Sequence, residues 1–208
     1  MGCSAADVAR AVRAVAVVVA EHRVELIQLD RAIGDGDHGE NLDRGFRAVV
    51  SKLDESTPDT PAAVLKLVAT TLISKVGGAA GPLYGTAFLR AATALGDAPE
   101  LGVAEVTEAL RAALGGIVAR GKAELGDKTM VDALDPAVRA AEKEQGSVAA
   151  LLSAAADAAA TGADSTVPLV ARKGRASYLG ERSAGHLDPG ARSTTLLLRS
   201  FADSASSG

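Results

Sequence analysis

The sequence predicts an all-α protein, an antiparallel up-and-down bundle or closed barrel of about eight helices forming a single domain over residues 1–208. Three observations lead there. The chain is 48% hydrophobic but only 2% aromatic, with no Trp. Any core must therefore be built from Ala, Leu and Val at short interhelical distances, and Ala favours helix whereas strands favour aromatic and β-branched side chains. Apolar residues recur at helical spacing in long runs. Short clusters of Gly, Pro and capping residues separate those runs, and short turns between long helices imply antiparallel neighbours. No shift in composition marks a linker between two cores.

In chain order, the first helix is expected from about Ser4 to Asp30, with Ser4 as N-cap. The second follows a glycine-rich turn and runs from about Gly39 to Leu53. Thr60-Pro61 opens the third, Thr as cap and Pro in the first turn, and Gly77-Gly78 ends it near Val76. Gly81-Pro82 starts the fourth, which ends near Gly96, and the fifth covers about Val103 to Arg120 and stops at Gly121. The sixth and seventh span about Met130 to Glu144 and Ser147 to Val170. The last opens at Asp188-Pro189, again a cap followed by proline, and continues to about Phe201. One stretch, from about Arg172 to Leu187, has no apolar period and carries Arg172, Lys173, Arg175 and Arg182. A loop of this length in a compact domain is a functional lid or a disordered segment, and the lid is the preferred reading.

A formal charge of −4 without a basic face argues against a nucleic-acid partner, so any phosphate this chain meets belongs to a small molecule. The single Cys3 forms no internal disulfide and fits a reducing compartment. The apolar run Ala14 to Ala20 follows Arg10 and Arg13 as in a signal peptide. It is short, however, and gives way to Glu21, His22 and Arg23 without a cleavage site. Ala6 stands where a myristoylation pattern needs Ser or Thr. No run approaches the roughly 20 apolar residues that span a bilayer. A cytoplasmic protein with no membrane partner is expected.

The strongest local signal is LDRAIGDGDHGENLDRG, which crowds Asp30, Asp35 and Asp37 into a turn between two helices. Asp30 lies near a helix C-terminus, where a carboxylate is unfavourable. Three acids call for an answering positive charge, and Mg²⁺ takes one or two carboxylates together with waters and phosphates. The same spacing also fits a solvated acidic turn. Gly34, Gly36 and Gly39 spell G-x-G-x-x-G, but a helix precedes them and the intervening aspartates repel a bare pyrophosphate. An EF-hand loop starting at Asp35 fails because Glu40 replaces its glycine and Phe46 its bidentate acid. Gly116, Gly121 and Lys122 imitate a P-loop, but Ala123 replaces the metal-binding hydroxyl and no strand precedes it. His38, Gly39, Glu40 and Asn41 start a helix whose free amides suit an anion, although ordinary capping explains them equally. The turn Val76 to Pro82 offers a second such helix start, or a plain interhelical connection.

Four blocks, IGDGDHGENLDRG, GGAAGPLYGTAFLRAA, GDKTMVDALDPA and KGRASYLGERSAGHLDPGA, occur here in order from Ile33 to Ala191. In order and spacing, over nearly the whole chain, they resemble the L subunit of dihydroxyacetone kinases. The resemblance implies an antiparallel eight-helix barrel with ADP or ATP at one end, its phosphates held through two Mg²⁺ ions by Asp30, Asp35 and Asp37. It further implies that His38, Gly39 and Asn41, with the backbone of Gly78, Ala79 and Ala80, contact the phosphates. Gly121 and Met130 would lie beside the adenosine, and Arg175 with Asp188, Pro189 and Gly190 would close over the nucleotide. The family turn commonly reads GGASGP, so Ala80 removes a hydroxyl, and altered affinity rather than lost activity is expected.

In this family the sugar is held covalently on a histidine of a separate K subunit or domain, so no kinase activity is expected of this chain alone. His22 and His186 are then not sugar nucleophiles, and His22 is read as a surface residue. The resemblance leaves two phosphoryl donors: free ATP, or a bound ADP rephosphorylated in place by a phosphohistidine protein of the sugar phosphotransferase system. A chain with an L domain alone favours the second. Alternative readings are a kinase subunit for another ketose or a fatty acid, and a partner of a transcription regulator that reads the nucleotide state.

Overall fold

The protein is described by a computed structural model covering residues 2–207. The helices are α1 (Ala5–Glu21), α2 (Arg23–Ile33), α3 (His38–Glu55), α4 (Pro61–Lys75), α5 (Ala80–Leu95), α6 (Val103–Gly121), α7 (Val131–Ala141), α8 (Val148–Ser165) and α9 (Pro189–Ser206). Among the described residues the only β pairing is an isolated bridge between Cys3 and Leu101. The all-α expectation therefore holds. Three expected elements differ, the plainest being the seventh helix, which ends at Ser165 rather than near Val170. The long first helix bends at His22 (φ −92, ψ 6) into α1 and α2. Gly39 of α3 packs against the Arg23 carbonyl at that bend, where a Cβ would sit 2.2 Å from the oxygen. The basic stretch is also less irregular than its composition suggests, forming 3₁₀ turns over Arg175–Ser183 that kink at Gly180.

The caps legible in the sequence form as expected. Ser4 Oγ accepts from Asp7 N (3.3 Å) and Asp7 returns the bond to Ser4 N (2.9 Å), a reciprocal capping box. Thr60 and Asp188 accept from Ala63 N (3.2 Å) and Ala191 N (2.8 Å), each followed by proline.

Counting α1 and α2 as one bent stave, eight staves pack in sequence, α3 on α4 and onward to α8 on α9, and α9 closes the ring on α1. Small residues set the spacing. Ala155, Ala156, Ala159 and Ala163 of α8 are buried against α7 and α9, where Ala133, Ala137, Ala141 and Ala191 are buried too. Pro136 inside α7 donates no hydrogen bond to Asp132 O. Gly162 of α8 comes up against that freed carbonyl, where a Cβ would lie 2.1 Å away. Phe46 with Leu26, Ile33, Leu42, Leu53, Leu72 and Leu151 supplies the largest buried apolar groups, each worth about 1.5–3 kcal/mol relative to exposure. A largely apolar cavity of about 420 Å³, lined by Cys3, Val8, Leu101 and Val148 at one end and by Tyr84 and Met130 at the other, runs between the helices. No described helix is long and apolar enough to cross a membrane.

Candidate functional site: an acidic cleft at one end of the barrel

Because the staves alternate in direction, α3, α5, α7 and α9 all begin at the same end. Their first residues, His38, Ala80, Val131 and Pro189, line a second cleft of about 390 Å³. Four helix N-termini thus aim positive dipole ends at one space, an arrangement suited to phosphate. The opposing carbonyl ends are answered by cations. Arg44 Nε donates to Lys75 O at the end of α4 (3.0 Å), and Lys128 Nζ donates to Thr166 O just past α8 (2.6 Å).

On this rim Asp30, Asp35 and Asp37 bring one carboxylate oxygen each to within 4.8 Å of one another. Asp30 is buried at the end of α2, and its Oδ2 accepts from Asp37 N (2.8 Å) and His38 N (3.1 Å). An acid that opposes its own helix dipole is thereby held by the first amides of the next helix. Gly34 is required by space: a Cβ there would lie 2.1 Å from Asp30 Oδ1. Asp35 and Asp37 are exposed, and Asp35 Oδ2 pairs with Arg175 Nε across the cleft at 3.0 Å. Three convergent hard oxygen donors with one guanidinium in answer fit a divalent cation such as Mg²⁺.

Beneath the acids runs a hydrogen-bonded chain that single-sequence reading did not reveal. His38 Nε2 bonds Ser193 Oγ (2.9 Å), Ser193 Oγ bonds the Tyr84 hydroxyl (2.7 Å), and that hydroxyl bonds Thr194 Oγ1 (3.0 Å). Burial pulls the His38 imidazole below its usual pKa, against the opposing pull of Asp30 and Asp37. Burial likewise pushes the Tyr84 phenol up to about 12. Both shifts favour the uncharged forms of the two groups.

Most of the expected contact residues meet in this cleft. Asp30, Asp35, Asp37, His38, Gly78, Ala79, Ala80, Gly121, Met130, Arg175, Asp188, Pro189 and Gly190 all line it. Gly39 and Asn41 do not. Gly39 is committed to packing on α2, and the buried Asn41 accepts from Arg44 (2.5 Å) behind the Gly77–Gly78 turn. Tyr84, Arg120, Lys128, Thr129 and Lys173 line the cleft without having been singled out for it. His22 sits at the bend, paired with Glu25 at 2.6 Å, and His186 is exposed. Tyr84, Ile117 and Met130 form a wall shared with the apolar interior cavity. Asp188 is enclosed, and burial pushes its carboxyl up to about 7 against the opposing effects of the Ala191 amide and Lys128.

Fold and site together define a class: a closed helical barrel with an acidic, amide-rich cleft at one end. Residues 32–203 match the DAK2 domain family. The chain is 47% identical over 180 residues to the ADP-binding subunit DhaL of the PEP-dependent dihydroxyacetone kinase of Escherichia coli K12, covering 85% of this chain and 86% of that one. It is 39% identical over 183 residues to the ADP-binding subunit DhaL of the PTS-dependent dihydroxyacetone kinase of Lactococcus lactis, covering 88% of each. The crystal structure of the dihydroxyacetone kinase from C. freundii in complex with AMP-PNP and Mg²⁺ aligns with a TM-score of 0.74 at 28% identity. That alignment covers 98% of this chain and 35% of the other, so the chain spans about a third of that longer protein. The chain belongs to the DAK2-domain family, and within it to the L subunits of dihydroxyacetone kinases.

Proposed function

We propose that this chain is the nucleotide-binding subunit of a dihydroxyacetone kinase, a single domain over residues 1–208 that works in the cytoplasm. It presents a phosphoryl group on bound nucleotide to dihydroxyacetone held by a separate K subunit. The observation that carries this reading is the convergence of three carboxylates within 4.8 Å on the rim of a cleft floored by helix N-termini. Aspartates alone repel phosphate and amides alone do not need aspartates. The pairing makes sense for a phosphate held through a cation.

When bound, Mg²⁺ supplies the positive charge between the carboxylates and the phosphate oxygens and offsets charge as the phosphoryl group transfers. Asp30, Asp35 and Asp37 are its ligands, for two ions in the family arrangement. The amides of Gly78 to Ala80 donate to phosphate oxygens, and the His38 ring is oriented from below by Ser193. Asn41 supports the phosphate turn from behind, through Gly77. Gly121 and Met130 form the apolar side of the cleft that suits an adenosine. Arg175 spans the mouth opposite Asp35, the position from which a guanidinium answers charge on a transferring phosphoryl group.

The relatives named as PEP- or PTS-dependent support a retained ADP, rephosphorylated in place by a phosphohistidine protein, as the working form. Native mass spectrometry of freshly purified protein, followed by denaturation and nucleotide analysis, tests this. One ADP and two Mg²⁺ per chain are expected. A chain that arrives empty and binds ATP reversibly assigns ATP as the donor instead, and one that binds no Mg-nucleotide at all ends the proposal.

A further inference from the structure

Within the GDKTM block, Lys128 has a geometry that is unusual on three counts. Its φ is +63, a left-handed conformation that a long side chain rarely adopts. It is 1% exposed, where lysine is almost never found without partners. All three of its ammonium protons have carbonyl acceptors, namely Thr166 O (2.6 Å), Val167 O (3.4 Å) and His186 O.

The turn that forces this conformation is itself fixed. Asp132 accepts from Gly126 N (2.5 Å) and Thr129 N (2.7 Å), and Asp127 accepts from Glu124 N (2.9 Å). A turn locked on both sides drives the Lys128 stem inward. The ammonium then meets the carbonyl end of α8, the favourable end of that helix for a cation. Burial pushes the ammonium below its usual pKa, while Asp188 and Asp132 pull it back.

What those carbonyls belong to gives the residue its meaning. Thr166 and Val167 lie just before the basic segment, and His186 lies at its far end. The entry foot is tied to the same turn, because Arg172 N donates to Asp127 O (3.1 Å). The exit foot is stitched by Gly185 N to Val167 O (2.7 Å) and Asp188 N to Thr166 Oγ1 (3.0 Å). Adjacent residues, Asp127 and Lys128, thus grip the two feet of the segment that carries Arg175. The residues just beyond the exit foot, Asp188 to Gly190, line the cleft.

We propose that Lys128 is a positioning residue that clamps the base of the basic lid, and so sets how long a nucleotide stays in the cleft. The role rests on the nucleotide-binding reading above and acts through Arg175 and the α9 start. Lys128 makes no contribution to the metal ligands.

The test compares Lys128→Met, which keeps the stem and removes the donors, with Lys128→Gln, which keeps two donors. In each, the dissociation rate of a fluorescent ADP analogue with Mg²⁺ and the amide hydrogen exchange of the nucleotide-free chain are measured. Dissociation is expected to accelerate about tenfold or more in Lys128→Met and less in Lys128→Gln. Exchange should rise at residues 172–187 and stay unchanged in α3 to α5. Combined with Arg175→Ala, the effect on dissociation should be clearly less than additive, because both changes disable one lid. Unchanged dissociation, full additivity, or exchange raised throughout the barrel overturns the proposal. Failure of both variants to fold overturns it as well, since Lys128 is then a support of the whole barrel. The exchange measurement needs no nucleotide. A wild-type chain that binds no ADP therefore defeats the functional reading alone, while exchange still decides the clamp.

Discussion

The acidic turn from Asp30 to Asp37 and the basic segment at 172–187 face the same cleft, and both are charged and glycine-punctuated, yet they are built in opposite ways. The turn is short and filled with its own bonds. Gly34 N donates to Asp30 O (2.5 Å), two further amides hold the Asp30 carboxylate, and Gly34 has no room for a methyl group. The basic segment is held at its feet, and its Gly174, Gly180 and Gly185 have open space where a Cβ would go. Its Arg175 side chain is 68% exposed. The difference separates two tasks. Oxygen ligands for a cation must be in place beforehand, because reorganising them at the moment of binding costs affinity. A guanidinium that covers a ligand must release it, and the segment that carries it is tied at its two ends, with Ser183 Oγ accepting from Ala171 N (2.8 Å) and short 3₁₀ turns between them.

The largest expected effect breaks the turn. Asp37→Asn should abolish Mg-dependent ADP binding, a loss on the order of 100-fold or more (~3 kcal/mol), while the helical circular dichroism spectrum is kept. Calorimetric titration with and without Mg²⁺ checks it, and unchanged affinity in the folded variant removes Asp37 from the ligand set.

Next in size is the junction between the two regions. Asp188 is raised from an ordinary 3.8 to about 7, so the folded protein holds a proton that the unfolded chain has released. That contribution to stability is complete below about pH 4 and is lost as pH rises through 7. Unfolding free energies of the nucleotide-free protein from urea titration, wild type minus Asp188→Asn, should therefore fall between pH 4 and 7 by an amount on the order of a few kcal/mol. A flat difference would mean that Asp188 titrates as an ordinary carboxylate.

On the lid, Arg175→Ala should weaken ADP about tenfold (~1.4 kcal/mol) and leave the melting temperature within a degree or two, because an exposed side chain contributes little to the fold. A large drop in melting temperature would contradict the separation of lid from barrel.

The smallest effect sharpens the phosphate turn. Ala80 is the first residue of α5 and Ala79 makes no side-chain cap bond, so the start of this helix relies on backbone alone. Ala80→Ser should tighten ADP by a few fold, about 0.5–1 kcal/mol for one hydrogen bond, measurable by competition binding. Weaker binding would show that the hydroxyl finds no phosphate there.

Much of this was legible in the sequence, for local reasons. Helix periodicity, the Ser4, Thr60 and Asp188 caps and the glycine stops depend on neighbours a few residues apart, which a single strand of text displays. The crowding of Asp30, Asp35 and Asp37 is likewise local, because one turn holds all three. The bend at His22 was not legible, since Gly39 of another helix wedges there and the apolar pattern runs on through it. The ordered turns at Arg175–Ser183 were missed because a segment without an apolar face gives no period, whatever its backbone does.

The sequence alone determined that this chain is helical, that its core is small-residue, where the acids gather, and, through four blocks in order, the family they resemble. Tertiary structure decided which residues face one another across the ring. It joined His38 to Ser193 over 155 positions, set Arg175 opposite Asp35, turned Asn41 and Gly39 away from the cleft, and brought Lys128 under both ends of the lid. Such pairings depend on how far each stave is rotated when the barrel closes, and close packing of many distant small side chains sets that rotation rather than any local pattern.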